Sequence, residues 1–542
     1  MDEARPTGEL IAQALRQEHC GPIFTLNGGH IWGLYLGAER HGLPLIDVRH
    51  EQTAGFAAEG WAKLTRRCGV AAVTAGPGVT NVISAVAAAR LNDSPVLFLG
   101  GRAQTGRWGQ GALQELDHVP LLEPLAKSAT TLLDPSEAYR LTAEAIRLAL
   151  SQRTGPVFLD VPVDLFLQAP EPPEATEHLL PDPGPPADPD AVTRAAALIR
   201  GAARPALVAG SGVWWAHAED ELVRLAEAAW LPVVLNGQAR GILPPGHALF
   251  ASRARGTTLG EADVLVVVGA PLDFRLNFGE PPLIAADAQI IYVDVDSYRK
   301  HRPAAAALFG DLKDALARLA AALAGTPQRT DWLDRVRGAN ATAMAGDRAL
   351  AAGAGAPVHP ARLIAEVEAA IDADAIVVGD GGDIVSFAGR LLQREKPGLW
   401  LDGGPFGCLG SGPGYALAAK LAHPDRQVVL LAGDGAFGFS AMEFDTLIRH
   451  RVAVVCVIGN NGIWALEKHP MERLLGTSLV ADLRPGTRYD QVVAALGGYG
   501  ELVEQPEEIR PAMTRAFKAG VPACLNVICD PRAEYPRSSE LI

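Results

Sequence analysis

Residues 427–464, from Gln427 to Trp464, read QVVLLAGDGAFGFSAMEFDTLIRHRVAVVCVIGNNGIW. The stretch parses into a strand, a glycine turn at Gly433-Asp434-Gly435, a helix, a second strand and then Asn460-Asn461. Ser440 with Glu443 three residues on fits a capping box and predicts that the helix starts there, while Arg449 and Arg451 fall where it should stop. A strand–helix–strand crossover returns the chain to the same sheet edge, so Asp434 and Asn461 should lie side by side at the strands' carboxyl ends. A carboxylate, a carboxamide oxygen and a nearby carbonyl, taken as that of Ile463, are hard oxygen ligands that suit Mg²⁺, which often completes its shell with phosphate oxygens. Gly433, Gly435 and Ala436 beside the acid let backbone N–H groups approach that phosphate. The stretch predicts a metal-anchored diphosphate.

Working outward, the same alternation of β-branched runs and amphipathic stretches recurs in three blocks of the 542 residues. VAAVTAGPGVTNVISAVAAARLNDSPVLFLGG lies in the first, PALVAGSG and DVLVVVGA in the second, AIVVGDGG in the third. The reading is α/β, with three doubly wound parallel-sheet domains. The boundaries are 1–167, a proline-rich linker at 168–190, 191–324, a second linker at 325–357, 358–530, and a tail at 531–542.

G-D-G followed by N-N at this interval resembles the signature of thiamine diphosphate-dependent enzymes, and three further segments are similar to theirs. The resemblance implies a thiamine diphosphate-binding fold in which a pyrimidine domain and a diphosphate domain flank a nucleotide-binding-like middle domain. In LIDVRHEQTAGFAAEGWAKLT, it makes Glu51 the carboxylate that hydrogen-bonds N1′ of the cofactor's aminopyrimidine and primes it to give up a proton at C2. Glu59, in the same segment, is expected to be a solvated helix carboxylate. TAGPGVTN from Thr74, with Gly76, is similar to the glycine turn beside the pyrimidine. GPFGCLGSGPGYALAAKL from Gly404 implies a carbonyl at Gly407 for the 4′-amino group and an apolar wedge at Leu409 that bends the cofactor.

The nearest branch is acetolactate synthase-like, and within it the motifs are closest to 2-hydroxyacyl-CoA lyases and oxalyl-CoA decarboxylases. NNGIW puts Trp464 where those enzymes line the substrate pocket with an aromatic. The tail CDPRAEYPRSSELI resembles a segment that closes over the active site, with Arg537 and Ser538 toward the coenzyme A end. His30, in NGGHIWGL, stands where benzaldehyde lyase carries a histidine, a residue type that can shuttle a hydroxyl proton, and Gln114 resembles the active-site glutamine or glutamate of the same branch. The reaction implied is reversible cleavage of a 2-hydroxyacyl-CoA to formyl-CoA and an aldehyde or ketone. Acetolactate synthesis from the 2-oxoacid pyruvate and oxalyl-CoA decarboxylation are the enzymatic alternatives, and a silent scaffold is the non-enzymatic one. Asp273, Arg275, Asp294 and Asp296 in the middle block, with Arg253 and Arg255, leave open FAD, ADP or the CoA nucleotide, or no ligand there. Subunit-shared sites are also implied, hence a homodimer or homotetramer.

Composition narrows the alternatives. A net charge of -14 with 62 acidic side chains against 48 basic ones disfavours nucleic acid and anionic membranes as partners. The six cysteines carry no C-x-x-C spacing, and no secretion signal or membrane-length apolar run is present, which predicts a cytoplasmic protein. For a nicotinamide oxidoreductase, no G-x-G-x-x-G joins a first strand to a helix with the acid that should follow. A silent homologue is expected to have lost Glu51 or a metal ligand, and both stand.

Overall fold

The structure is a computed structural model that describes residues 5–170, 180–353 and 355–535. Three all-parallel sheets follow one another. The first comprises β1 (Ile23–Thr25), β2 (Leu45–Asp47), β3 (Gly69–Val73), β4 (Val96–Arg102), β5 (Ala129–Thr131) and β6 (Val157–Pro162), in the order β2-β1-β3-β4-β6-β5. The second comprises β7 (Pro205–Ala209), β8 (Val233–Leu235), β9 (Val264–Val268), β10 (Gln289–Asp294) and β11 (Ala304–Phe309), in the order β11-β10-β9-β7-β8. The third comprises β12 (Ile376–Asp380), β13 (Trp400–Asp402), β14 (Val428–Gly433), β15 (Val455–Asn460), β16 (Tyr499–Val503) and β17 (Ala523–Ile528). Its order, β13-β12-β14-β15-β17-β16, repeats that of the first sheet strand for strand. In such sheets the crevice between the first and third strands, where successive crossovers leave in opposite directions, receives ligands. Here that crevice follows β1 and β3 in the first sheet and β12 and β14 in the third.

The inner strands, such as β3, β9, β14 and β15, are buried along their whole length because helices cover both faces. On β4, Leu97 and Leu99 enter one core, while Val96 and Phe98 enter another that also takes Ile376, Val378, Leu430 and Tyr415. The first and third sheets thus share a core, built on the helices Glu51–Thr65 and Gly412–Ala422. Glycines let these helices touch: a Cβ on Gly414 would sit 3.0 Å from the Phe56 Cβ, and one on Gly60 3.0 Å from the Tyr415 Cα. Phe56 and Tyr415 meet edge to face at 5.9 Å.

Two expectations, on Glu59 and Ser440, are corrected here. Glu59 is not solvated: it is fully buried and accepts from Tyr415 Oη at 2.6 Å and Asn92 Nδ2 at 2.8 Å, with Lys63 Nζ at 3.0 Å. A carboxylate at this depth persists because every partner is present. Ser440 does not start a helix. The helix begins at Asp434, directly after the extended Gly433, and ends at Ser440, with a second helix over Glu443–Arg449. The Glu443 carboxylate is engaged by the Arg49 N–H at 3.1 Å and the Thr446 hydroxyl at 2.7 Å, and so does not reach back as a cap. The stretch 325–357 carries a 22-residue helix, Thr330–Ala351, whose Trp332, Leu333 and Val336 pack on the middle sheet.

Candidate active site

At the third sheet's crevice the strand ending at Gly433 passes directly into the helix that starts at Asp434. Asp434 opens its helix and accepts the Gly462 N–H at 2.9 Å on Oδ2, which ties it to the loop that carries Asn461. Asn461 donates Nδ2 to Asp383 at 3.1 Å, and its Oδ1 lies 3.2 Å from the Ile463 nitrogen. Burial, with Asp383 nearby, raises the Asp434 carboxyl to about 6. Asp383 is raised by the same desolvation. A buried carboxylate tied to the loop that carries an Asn carboxamide is a donor pair that fits a hard divalent cation. No cluster of three His, Cys, Asp or Glu ligands competes for one among the described residues. Ala436 packs against the Gly381 turn, where a Cβ would lie 3.0 Å from its own. Trp464 lies over Gly435, so close that a Cβ there would be 2.4 Å from the indole, and it meets Phe439 edge to face.

Two acids that the sequence reading passed over shape this end. Asp383, one turn beyond the β12 glycines, holds the Asn461 amide. Asp380, fully buried and raised to about 6 by burial, accepts the Gly410 and Gly412 N–H groups at 3.0 and 2.8 Å. It thereby orders the segment bearing Gly407 and Leu409. The signal was available in the run GDGGD, an acid on each side of a glycine turn at a strand end.

At the first sheet's crevice, Glu51 is the first residue of its helix, capped by His50, which accepts the Gln52 N–H. It is 8% exposed and accepts Asn81 Nδ2 at 3.1 Å. His30 Nδ1 lies 3.2 Å from the Thr74 hydroxyl, which reaches Gln114 Oε1 at 3.4 Å. Gln114 holds φ at +59° and packs on the Gly76 turn. Desolvation lowers the His30 pKa below the usual imidazole value. A cavity of about 450 Å³ opens at His30, lined also by Gln104, Arg107, Gln110 and Leu113.

A larger cavity of about 660 Å³ runs between the second and third sheets and reaches Gly407 and Leu409. Arginines 240, 253, 255, 275, 390 and 394 line it. Asp347 neutralises Arg253 and Arg390, and Asp273 pairs with Arg275, whereas the Arg255 Nε and the Arg394 Nε and Nη1 are buried with no partner. Asp294 and Asp296 do not face this cavity as a nucleotide rim. They are held by Lys300 and by Arg153 of the first domain. Arg537 and Ser538 lie outside the described residues.

With this geometry in view, comparison with known proteins is decisive. The N-terminal TPP binding domain of thiamine pyrophosphate enzymes matches residues 5–121, the central domain 192–319 and the C-terminal TPP binding domain 380–527. The chain belongs to the thiamine pyrophosphate enzymes. The acetolactate synthase large subunit IlvG of Mycobacterium tuberculosis is 53% identical over 539 residues, 98% of this chain and 97% of that protein. The 2-hydroxyacyl-CoA lyase 2 of Homo sapiens is 35% identical over 551 residues, 93% of this chain and 86% of that protein. The 2-hydroxyacyl-CoA lyase of Oryza sativa subsp. japonica is 31% identical over 558 residues, 97% and 95% respectively. Thiamine diphosphate is therefore the cofactor of this enzyme, in the acetolactate synthase-like branch. No helix among the described residues is long and apolar enough to cross a membrane.

Proposed function

We propose that this thiamine diphosphate enzyme is a carbon–carbon lyase that cleaves a 2-hydroxyacyl-CoA to formyl-CoA and an aldehyde or ketone. The observation that supports this reading is His30: a buried imidazole, its pKa lowered by desolvation, beside Thr74 and Gln114 at a ligand crevice. Cleavage beside a carbinol needs a base for the hydroxyl proton, and His30 is that base. As the proton moves to His30 the oxygen becomes the new carbonyl, the C1–C2 pair stays with C1, and reprotonation of C1 completes the formyl group. The bound cofactor supplies the electron sink for that pair. Asp434 and Asn461, with the Ile463 carbonyl, would hold Mg²⁺ and through it the diphosphate. Glu51 would hold a proton at N1′. Gly407 and Leu409 would seat the aminopyrimidine, and Trp464 would border the substrate. The partnerless guanidinium N–H groups of Arg255 and Arg394 favour the CoA nucleotide, a polyanion, in the larger cavity. Exposed Trp32, Leu36, Leu113, Phe439 and Met442 favour assembly with a second copy, in keeping with a site shared between subunits.

A second reading, acetolactate synthesis, is favoured by the 53% identity to a protein of that name. Purified enzyme given 2-hydroxyisobutyryl-CoA or a long-chain 2-hydroxyacyl-CoA is expected to release formyl-CoA, and pyruvate to give no acetolactate. The reverse pattern, read by chromatography of the CoA esters and a colorimetric acetoin assay, overturns the lyase.

The His30 shift has a sign. Its pKa is lowered in the fold, so the neutral base persists below the ordinary value of about 6.5 and activity is lost only as pH falls through the depressed value. The stability linked to this group runs the same way, present above the unfolded pKa and lost in acid. The acid limb of kcat/KM should therefore lie below pH ~6.5. His30→Ala should remove that limb and lower kcat/KM about 100-fold. A limb unchanged in the variant assigns it to another group.

A further inference from the structure

Behind the first crevice lies a chain of hydrogen-bonded polar groups that none of the roles above uses. His118 has no exposed surface. The Gly76 N–H donates to its Nε2 at 3.0 Å, and its Nδ1 is 2.9 Å from Asp160 Oδ2. Asp160, on β6 and equally buried, meets Arg102 at 3.0 Å through the same oxygen. Arg102 also pairs with Asp117 and lies over Trp108.

A backbone N–H only donates, so Nε2 must present its lone pair, and the ring proton sits on Nδ1 facing Asp160. The tautomer is set from both ends. Asp160 keeps Oδ1 buried without a partner, a cost that apolar packing at this depth avoids.

What hangs on Gly76 explains the expense. It sits at φ +59° at the start of the helix Pro77–Leu91, which carries Asn81 to Glu51. A Cβ on it would lie 2.9 Å from the Gln114 Cβ. Thr74, two residues earlier, binds His30.

We propose that His118, oriented by Asp160, is a positioning residue that pins the Gly76 turn and so keeps Asn81 on Glu51 and Gln114 beside Thr74. The inference rests on the reading of Glu51 as the carboxylate that meets the cofactor.

Three full-length variants test it. In Asp160→Asn, nearly isosteric, an amide facing Nδ1 favours the opposite tautomer and sets two donors against each other at Gly76. His118→Leu removes the acceptor, and His118→Gln offers one again. The readouts are thiamine diphosphate affinity with Mg²⁺, followed by intrinsic fluorescence, the Tm of the apoprotein, and kcat. Asp160→Asn and His118→Leu should bind the cofactor about tenfold or more weakly, and His118→Gln should stay within about threefold of wild type, with kcat in the same order. Wild-type affinity in all variants, or a His118→Gln defect equal to that of His118→Leu, overturns the proposal. Should His118→Leu not fold, Asp160→Asn against His118→Gln decides alone. The underlying reading fails separately, by a Glu51→Gln enzyme of normal kcat.

Discussion

Asp434→Ala is expected to lose about 1,000-fold or more in turnover and nearly all cofactor-dependent stabilisation. The side chain is the carboxylate that would meet a cation beside Asn461 at the third sheet's crevice, and Gly462 N–H locks it toward the Asn461 loop at 2.9 Å. A divalent ion there would offset several kcal/mol of phosphate charge, and each ~1.4 kcal/mol lost is a factor of ten. Wild-type protein with ligand at about 100 times its Kd should gain about 2.7 kcal/mol, read as a rise in Tm when thiamine diphosphate and Mg²⁺ are added together. The variant should show none, while its apo Tm stays at or above that of wild type, because a buried carboxyl raised to about 6 is held there against desolvation. An Asp434→Ala protein that still shows the joint shift would falsify the cation site.

Local chemistry was legible where one segment carried it. Gly433-Asp434-Gly435 and Asn461 are separated by a single crossover, so the rule that returns the chain to the same edge was enough to bring them together. Glu51 was equally readable as a helix-start carboxylate after a strand. Partners drawn from distant segments were not. Asp383 meets Asn461 across 78 residues, and His118 meets both Gly76 and Asp160 across 42. No periodicity encodes such contacts, because they follow from strand order rather than from spacing along the chain. The Ser440 error has the same origin. The capping pattern was present, but Glu443 is drawn to the Arg49 N–H, 394 residues away in sequence, and a contact between domains outweighed a local preference. Glu59 was misjudged because an isolated glutamate on a helix is ordinarily solvated, whereas Tyr415, Asn92 and Lys63 complete its shell only in the assembled core. The repeated strand order of the first and third sheets left no sequence repeat, since the order depends on where crossovers go and not on which apolar residues fill the strands.

Glu51→Gln should separate proton handling from binding. The glutamate is 8% exposed and engaged by Asn81 at 3.1 Å, and a glutamine at this position keeps both shape and acceptor. The fold should therefore be preserved, with a stability change below about 1 kcal/mol, and thiamine diphosphate affinity should stay within a few-fold of wild type. The amide can donate a hydrogen bond but cannot exchange a proton with N1′, and it has no negative charge to stabilise one there, so the step that depends on that proton slows. General acid–base assistance of this kind contributes about 10²- to 10⁴-fold, and kcat should fall by that amount with KM little changed. Asn81→Ala supplies the contrast. It leaves the carboxylate in place but removes its orienting donor, so it should lower kcat by a smaller factor of about ten, the usual cost of a misplaced group. Pre-steady-state mixing of the Glu51→Gln enzyme with substrate should show a slow first turnover and no burst, which places the defect before product release. Were the variant instead to lose cofactor binding in parallel with kcat, Glu51 would be a contact that grips the aminopyrimidine, and the proton would have to be held by another group at this crevice.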